Sequence, residues 1–420
     1  MNTTQRNKLL ARCQQAKTIG LYGFILLLPI SIAFMQMSLG LLFLAIVVEA
    51  VLTKTFRFPA TQVNRPLLAY IVIMMLTTLF AVPFLTSIDE LRTIILKVGV
   101  FYLVYLSLQN LTQIKRAVVL LFLGVTIAAS YGVLEHYLEV DIFRMTQSLA
   151  LLKHVENNLT LPVRIPGFSS YMTFSGQLAM TIPILWAVWF AVKTKSQRVL
   201  LFGAGMLMLF ALLWTYTRSA WVGAACAFIL FGYLRVKRGS LMFLLGLLPL
   251  LLIGLQPDIR DRVVSIFYAD ENLERLYTWE STLRIIRDYP LTGIGKTNFS
   301  KFILTYREPY YPSFDFTSRA HAHNNILQVM VTGGIFTLLA FLRLWGVIFR
   351  EMDRTYRQLP EQSAVFKRLS LGLLCAMVAF FVQGFFEHNF GDSESVMMMW
   401  CIVALSLKLP KLITGDRLSD

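Results

Sequence analysis

Histidines and arginines are the residues of this sequence whose types and spacing could do chemistry. His321 and His323 stand in the segment Ser318-Arg-Ala-His-Ala-His-Asn-Asn, directly before a long apolar run. Histidine is the side chain most readily used as a base near neutral pH. A helix start, with its unpaired N–H groups and positive dipole end, disfavours the protonated imidazole. The pair could therefore take a proton from an incoming hydroxyl group, or could simply cap a helix at a membrane interface.

A shared metal ion is not expected at this pair of histidines. Two residues that are two apart on a helix project about 200° from each other. The i, i+4 spacing, by contrast, lets two side chains bind one ion. No metal site is therefore predicted.

Arginines outside the apolar runs are the candidate ligands of an anion. Arg218 is the only charged residue in a turn between two apolar runs, a position where an unpaired arginine is costly. It could bind a phosphate group or extend to the membrane interface. Arg164 precedes a Gly- and Ser-rich turn and has the same two interpretations.

A third group of candidates lies on an amphipathic segment. Residues 270–289 place apolar side chains at spacings of three and four, with Asp270 as a cap and Pro290 as terminator, which predicts a helix. Arg275 and Arg284 lie on it, spread around the helix. The helix could present them to a ligand or lie on the membrane surface.

Two further charged positions have open interpretations. The segment Glu387-His-Asn-Phe-Gly-Asp-Ser-Glu could orient a site residue or stay solvated, and the solvated interpretation is preferred. Lys97 lies inside an apolar run, where a charge is costly, and the sequence indicates no partner for it.

The elements that must position these residues are membrane helices. The chain has 420 residues, 56% hydrophobic and 15% charged, with a mean hydropathy of +0.62, whereas soluble domains carry about 25% charged residues. Charges, prolines and glycines divide it into twelve candidate runs, against the roughly 20 apolar residues that a membrane helix needs. Two short helices are predicted in residues 19–52, turning near 36–40. The others are at about 67–83, 91–108, 116–138, 175–192, 199–216, 219–234, 240–255, 322–349, 366–386 and 395–409.

Charge sets the orientation of these helices. If the amino terminus is cytoplasmic, the loops on that side hold 24 of the 39 Lys and Arg residues, as the positive-inside rule requires. Both termini are then predicted in the cytoplasm. The rule also explains most of the net charge of +15, so no nucleic-acid partner is implied. The first run resembles a signal peptide, but no cleavage site follows it, and it is predicted to be retained.

Three regions follow from this topology. Residues 1–255 would hold nine transmembrane helices and a smaller outer segment at about 139–174. Residues 256–321 would form a large outer loop with amphipathic helices, and residues 322–420 three more transmembrane helices. The large loop holds nine basic residues, and because long loops are exempt from the positive-inside rule, these need another reason.

Three motifs carry a resemblance to a known family. The first is His323-Asn324, nine residues, and Gly334-Ile-Phe-Thr337. The second is Thr217-Arg-Ser-Ala-Trp221, and the third begins at Arg275-Leu-Tyr-Thr-Trp and continues through Arg287-Asp-Tyr-Pro-Leu-Thr-Gly-Ile-Gly. With these motifs and this topology the chain resembles the O-antigen ligases, within the group of O-antigen ligases and polymerases.

The resemblance implies a fold, a reaction and a set of site residues. The fold is an all-α polytopic membrane protein of about twelve transmembrane helices with one large periplasmic loop, a GT-C-like glycosyltransferase. The reaction transfers a glycan from undecaprenyl diphosphate to a sugar hydroxyl of lipid A-core, at the periplasmic face of the bacterial inner membrane. It is inverting and needs no metal, nucleotide or other cofactor. The catalytic residues that it implies are His323, Arg218 and Arg275, with Asn324, Arg284 and Arg319 expected to bind substrate. Arg164 and His321, which lie outside the three motifs, are predicted from the residues themselves to bind substrate as well.

Two other functions fit part of the same pattern. An O-antigen polymerase would use the same donor with a second lipid-linked glycan as acceptor, and the His-Asn motif favours the ligase. A secondary transporter would explain twelve helices and intramembrane charge, but no internal six-plus-six repeat is present. A purely structural scaffold would have no use for a basic outer loop.

Overall fold

The structure, a computed structural model, is helical almost throughout. It describes residues 3–56, 58–79, 84–138, 141–143, 155–156, 159–160, 164–235, 257–265, 272–307, 309–311 and 321–416. Two short strands, β1 (Val155–Glu156) and β2 (Leu159–Thr160), pair antiparallel. The helices are α1 (Thr3–Leu27), α2 (Ile32–Thr53), α3 (Asn64–Thr78), α4 (Phe84–Ser107), α5 (Leu111–Leu138), α6 (Tyr171–Trp189), α7 (Lys195–Trp214), α8 (Arg218–Arg235), α9 (Pro257–Val264), α10 (Leu273–Asp288), α11 (Phe299–Arg307), α12 (Asn325–Gln358), α13 (Ala364–Gln383) and α14 (Ser393–Asp416).

The helices confirm a polytopic membrane protein in coarse form. Within the described ranges, six segments are long and apolar enough to cross a membrane. They correspond to α2, α5, α7, α12, α13 with the short 3-10 turn before it, and most of α14. The predicted helix at 240–255 lies outside the described residues. The total of about twelve transmembrane helices, the large loop and the division at 255 and 321 stay predictions.

The turn predicted near residues 36–40 is wrong. The first two helices are separated at residues 28–31, where Pro29 offers no N–H to continue α1. Gly40 lies inside α2. Gly20 of α1 lets the two helices pack closely, because a Cβ there would meet the backbone of Leu42 and the carbonyl of Ser38.

A central group of helices positions the turn between α13 and α14. Helix α13 packs along α6 and α8, and α14 packs against α4. Small residues allow the close approach: a Cβ on Gly372 of α13 would meet Ile184 of α6, and one on Gly223 of α8 would overlap the carbonyl of Ala379. The turn between α13 and α14 is therefore fixed relative to α6 and α8.

Helix α12 is interrupted at Gly334, and the outer segment fills the break. Gly334 has φ 71° and ψ −175°, a conformation essentially limited to glycine. Ile294 N–H donates to the Val331 carbonyl at 2.9 Å, and Ile335 N–H donates to the Pro290 carbonyl at 2.9 Å. Carbonyl and amide groups freed by the break are thus satisfied within protein, as membrane depth requires. The contact between residues 290–294 and the break in α12 explains why the first and third motifs contain glycine.

Replacing Gly334 by alanine should therefore destabilise the fold. The new Cβ would overlap the Leu291 carbonyl and the residue would keep an unfavourable positive φ. We expect a loss of at least about 2 kcal/mol, measured as a lower thermal midpoint in detergent. Gly346, in the same helix, is the matched control, because a Cβ there would meet no atom within 4 Å. Equal midpoints for the two alanine variants would contradict the role of the break.

Candidate active site

His323 lies immediately before α12, held by its neighbour in the sequence. Asn324 is the N-cap of α12; its Oδ1 accepts the Leu327 N–H at 3.0 Å, and its Nδ2 donates to the Phe385 carbonyl at 2.9 Å. His323 itself has φ 47°, a left-handed conformation that is uncommon for a residue with a Cβ. Asn324 thus ties the start of α12 to the turn after α13 and fixes where His323 points.

Glu387 is the common partner of the other site residues. Its side chain is 6% exposed, and Oε1 lies 3.2 Å from Nδ1 of His323 and 3.8 Å from Nε2 of His321. Its other oxygen lies 3.9 Å from Nη2 of Arg275. The expectation that this segment stays solvated is wrong for Glu387: α13 ends four residues earlier and delivers the carboxylate into the protein.

The charges of this cluster are set by burial and by proximity. Burial by itself would raise the pKa of Glu387, but the hydrogen bond with His323 and the charges of the two histidines and Arg275 outweigh it, and the pKa is lowered to about 2. Burial and the neighbouring His323 lower the pKa of His321 to about 4. A carboxylate therefore faces a neutral His321 at neutral pH.

Hydrogen bonds assign the tautomers of the two rings. Nδ1 of His321 accepts the backbone N–H of His323 at 3.3 Å, so a neutral His321 carries its proton on Nε2. His323 offers Nδ1 to Glu387; donation to a carboxylate requires a proton on Nδ1, which leaves the lone pair of the neutral ring on Nε2. This is the arrangement that a carboxylate-oriented base requires.

The geometric reason for excluding a shared metal does not hold. His321 and His323 precede α12 instead of lying on it, and their ring centres are 4.3 Å apart. Together with Glu387 they offer three possible ligand atoms within 4.8 Å of one another. Two features oppose a cation here: Nδ1 of His321 accepts a backbone N–H, so its Nε2 carries a proton, and Arg275 adds positive charge beside Glu387. Metal independence stays a prediction.

Arg218 and Arg275 have different surroundings. Arg218 donates to the carbonyl and hydroxyl oxygens of Ser265 at 2.8 and 2.9 Å, and to Oδ1 of Asn272 at 2.8 Å. Asn272 precedes α10, the helix that carries Arg275. Arg218 therefore anchors the start of that helix, while Arg275 reaches the carboxylate of Glu387.

Helix α10 agrees with the helix predicted at residues 270–289, although its predicted cap Asp270 lies outside the described residues. Its Trp279 donates to the Ala322 carbonyl at 2.9 Å, and its Thr278 accepts a hydrogen bond from Arg307. The helix also packs against α11 and α12. The helix is therefore held by contacts with the rest of the protein, and its place relative to the membrane surface stays a prediction.

The remaining predicted site residues contact other groups. Arg164 lies over the ring of Tyr171, 4.9 Å from its centre. Arg284 pairs with Glu280 and lies 3.3 Å from the ring centre of Tyr310. Arg319 lies outside the described residues. The structure thus brings together His321, His323 and Arg275, and their roles in substrate binding stay predictions.

The structure supplies a partner for the intramembrane Lys97. Its side chain is buried, and Nζ donates to the Gly391 carbonyl at 2.7 Å, in the turn that follows Glu387. Lys97 on α4 thus secures the outer turn that carries the site carboxylate. No local pattern could have shown this contact, because it joins residues 294 positions apart.

Glu387 is the site residue for which the sequence favoured the wrong one of two interpretations. The available signal was its place, an acidic residue directly after an apolar run and next to His388-Asn389. At such a place a solvated carboxylate and a site carboxylate look alike, because burial depends on segments far away in the chain.

The pKa of His321 predicts acid sensitivity of the fold. The unfolded chain takes up this proton near pH 6.5 and the folded protein only near pH 4, so the unfolded state binds more protons between these values. Stability should therefore fall as pH drops through this window, by about 1–2 kcal/mol at pH 5. Thermal midpoints at pH 7 and pH 5 should differ less in His321→Asn than in the wild type. An equal difference in both proteins would contradict the lowered pKa.

The chain is similar to known proteins over part of its length. Residues 203–342 match the family model described as O-Antigen ligase, a span that includes Arg218, Arg275 and both histidines. The chain is 24% identical over 264 residues to an O-antigen ligase of Salmonella typhimurium, covering 60% of this chain and 65% of that protein. It is also 24% identical over 126 residues to the teichuronic acid biosynthesis protein TuaE of Bacillus subtilis, covering 30% of this chain and 24% of that protein. The chain thus spans less than two thirds of either relative.

Proposed function

We propose that this protein is a membrane glycosyltransferase of the O-antigen ligase type, a proposal supported by its motifs and by the match of residues 203–342 to that family model. It transfers O-antigen polysaccharide from undecaprenyl diphosphate to a sugar hydroxyl of lipid A-core, at the periplasmic face of the bacterial inner membrane. Both termini face the cytoplasm. The observation that carries the proposal is the pair formed by the partly buried His323 and the buried Glu387, with Arg275 beside it.

The chemistry assigned to His323 is general base catalysis. Nε2 takes the proton of the acceptor hydroxyl as its oxygen attacks the anomeric carbon of the donor. The new glycosidic bond forms as the bond from that carbon to the diphosphate oxygen breaks. The electron pair leaves with undecaprenyl diphosphate. Attack from the side opposite the leaving group inverts the anomeric centre, and the carboxylate of Glu387 stabilises the imidazolium that forms.

The donor itself removes the need for a metal or a general acid. A diphosphate is a good leaving group, and arginines that hold its charge favour its departure. Arg275 is linked to the base through their shared partner Glu387. Arg218 supports the helix that carries Arg275, and Arg164, Arg284, Arg319, His321 and Asn324 are proposed to act in substrate binding.

Reconstitution tests the function directly. Purified protein, undecaprenyl-diphosphate-linked glycan and lipid A-core are incubated in EDTA, and gel electrophoresis follows glycan onto the core lipid. A shifted ladder would support a metal-independent ligase. Growth of the lipid-linked chain would identify a polymerase, and activity that returns only with a divalent ion would overturn the metal-free chemistry. No product from competent substrates would favour a transporter.

Substitution of the two catalytic arginines should separate their roles. Arg275→Ala should raise the donor KM about 10-fold or more, since a charge-assisted contact contributes roughly 1.5–3 kcal/mol, with little change in thermal midpoint. Arg218→Ala should weaken donor binding and also lower the midpoint, because three hydrogen bonds to Ser265 and Asn272 are lost. Lysine should rescue either only in part. Unchanged donor affinity in both alanine variants would place the diphosphate elsewhere.

A further inference from the structure

A cavity of about 400 Å³ lies beside the base cluster, lined in part by His321 and Glu387. Its volume is within the range of about 300–1,000 Å³ for small-molecule sites. Because both residues also contact His323, a group bound in this cavity lies next to the base.

The lining of the cavity suits a carbohydrate. Hydroxyl groups come from Ser170, Thr173 and Ser395, and amide groups from Gln328 and Asn389. Hydroxyls and amides donate and accept hydrogen bonds, as sugar hydroxyls also do. A ring that carries several hydroxyls can therefore satisfy this lining, which an apolar ligand would leave unpaired.

The charge of the lining argues against a phosphate. Asp392 and Glu387 contribute carboxylates, and no lysine or arginine is among the lining residues that the structure describes. A carboxylate accepts hydrogen bonds strongly from hydroxyl groups and repels an anion. Lys97, the nearby cation on α4, is bound to the Gly391 carbonyl. The diphosphate of the donor is therefore better matched by the arginines than by this cavity.

The polar floor of the cavity is held in place before any ligand binds. Asn389 donates to the Phe380 carbonyl at 2.8 Å and accepts from Nδ2 of Asn325 at 2.7 Å. Asn325 in turn donates its N–H to the Gly384 carbonyl at 2.7 Å. Preorganised groups lose little entropy on binding.

We propose that this cavity binds the accepting sugar of the acceptor as an uncharged, polyhydroxylated ring, and that Asp392 selects it by accepting hydrogen bonds from its hydroxyls. The assignment rests on the proposed function and deepens it. It predicts that the accepting ring carries no phosphate or carboxylate group. The arginines then hold the donor, and this cavity holds the acceptor.

The chain offers a selective variant for the test. Asp392 precedes α14, and its Oδ2 accepts the Ser395 N–H at 3.2 Å. Asparagine caps helices as well as aspartate does, so Asp392→Asn removes the charge and keeps the cap. Met172→Trp fills the cavity from α6. Asp261→Asn is the matched control, because that carboxylate is exposed on α9, outside the cavity.

Calorimetry in lipid nanodiscs, where no sugar-based detergent competes, measures binding without catalysis. The ligands are core oligosaccharide freed of lipid A and phosphate, and inorganic pyrophosphate. We expect the oligosaccharide to bind the wild type and Asp261→Asn with equal affinity. It should bind Asp392→Asn about 10- to 100-fold more weakly, and it should not bind Met172→Trp. Pyrophosphate should not compete.

Three results would overturn the assignment: no oligosaccharide binding by the wild type, equal affinity in wild type and Asp392→Asn, or competition by pyrophosphate. Failure of the proposed function is separate, because it would appear as absent transfer by the wild type in the reconstitution. In active protein, Asp392→Asn should raise the acceptor KM and leave the donor KM unchanged.

Discussion

Replacement of His323 by alanine should lower the rate of glycan transfer by about 10²- to 10⁴-fold, the usual contribution of a positioned general base. The imidazole is the group that we propose takes the proton of the acceptor hydroxyl, and the neighbouring His321 cannot replace it, because its Nε2 carries a proton in the neutral ring. The measurement is the initial rate of transfer at saturating donor and acceptor. Both KM values should change little, since the proton transfer occurs only in the transition state.

The control for this variant is another outer histidine. His136 lies at the end of α5, and its ring stacks on Trp214 with the centres 4.0 Å apart. His136→Ala should leave the transfer rate within about threefold, in line with a small packing effect. A His323→Ala protein that is folded and as active as the wild type would remove the general base from the proposal.

Replacement of Glu387 by glutamine should have the second large effect, a loss of about 10²- to 10⁴-fold in kcat, by comparison with serine proteases whose orienting aspartate is changed to asparagine. Glutamine keeps the shape of the side chain and removes the charge that fixes the tautomer of His323 and stabilises its imidazolium. Glu387 acts through His323, so it is a positioning residue. The donor and acceptor KM values should therefore change far less than kcat.

A double variant distinguishes positioning from a structural role. If Glu387 acts only through the base, His323→Ala/Glu387→Gln should be about as inactive as His323→Ala, because residues that act as one unit are not additive. Multiplied losses would show that Glu387 acts independently of His323. The matched control is Glu361→Gln, an exposed carboxylate paired with Lys367, which should leave the rate unchanged.

Most helices were predictable because the hydropathy of a segment's own residues predicts a membrane helix. A long apolar run is buried in lipid wherever it lies in the bundle, so runs such as those of α5 and α7 mark their helices to within a few residues. The exception in the first run has a local cause, since Pro29 ends α1 and Gly20 permits the close packing of α1 on α2, whereas Gly40 lies inside α2 with open space around it. Small residues signal a turn and a helix contact equally well.

The site was predictable only in its parts. His323 and Arg275 were found because of their chemistry and their motifs. Gly334, the glycine of the His-Asn motif, is explained by the break in α12. The segment around Gly293 fills that break. For Arg218 the sequence left two interpretations open, a phosphate ligand or an interfacial arginine, and its described contacts show a role at the start of α10.

The sequence by itself determined that this is an all-helical membrane protein with histidine and arginine as its reactive groups, because hydropathy, charge and residue type are local properties. The tertiary structure decided which of these groups meet. The contact between His323 and Glu387 joins residues 64 positions apart. It depends on the packing of α12 against α13, on the bond from Asn324 to Phe385, and on the anchoring of the outer turn by Lys97. The burial that turns an ordinary acidic residue into the partner of a base is a property of the assembled bundle, and no single segment carries it.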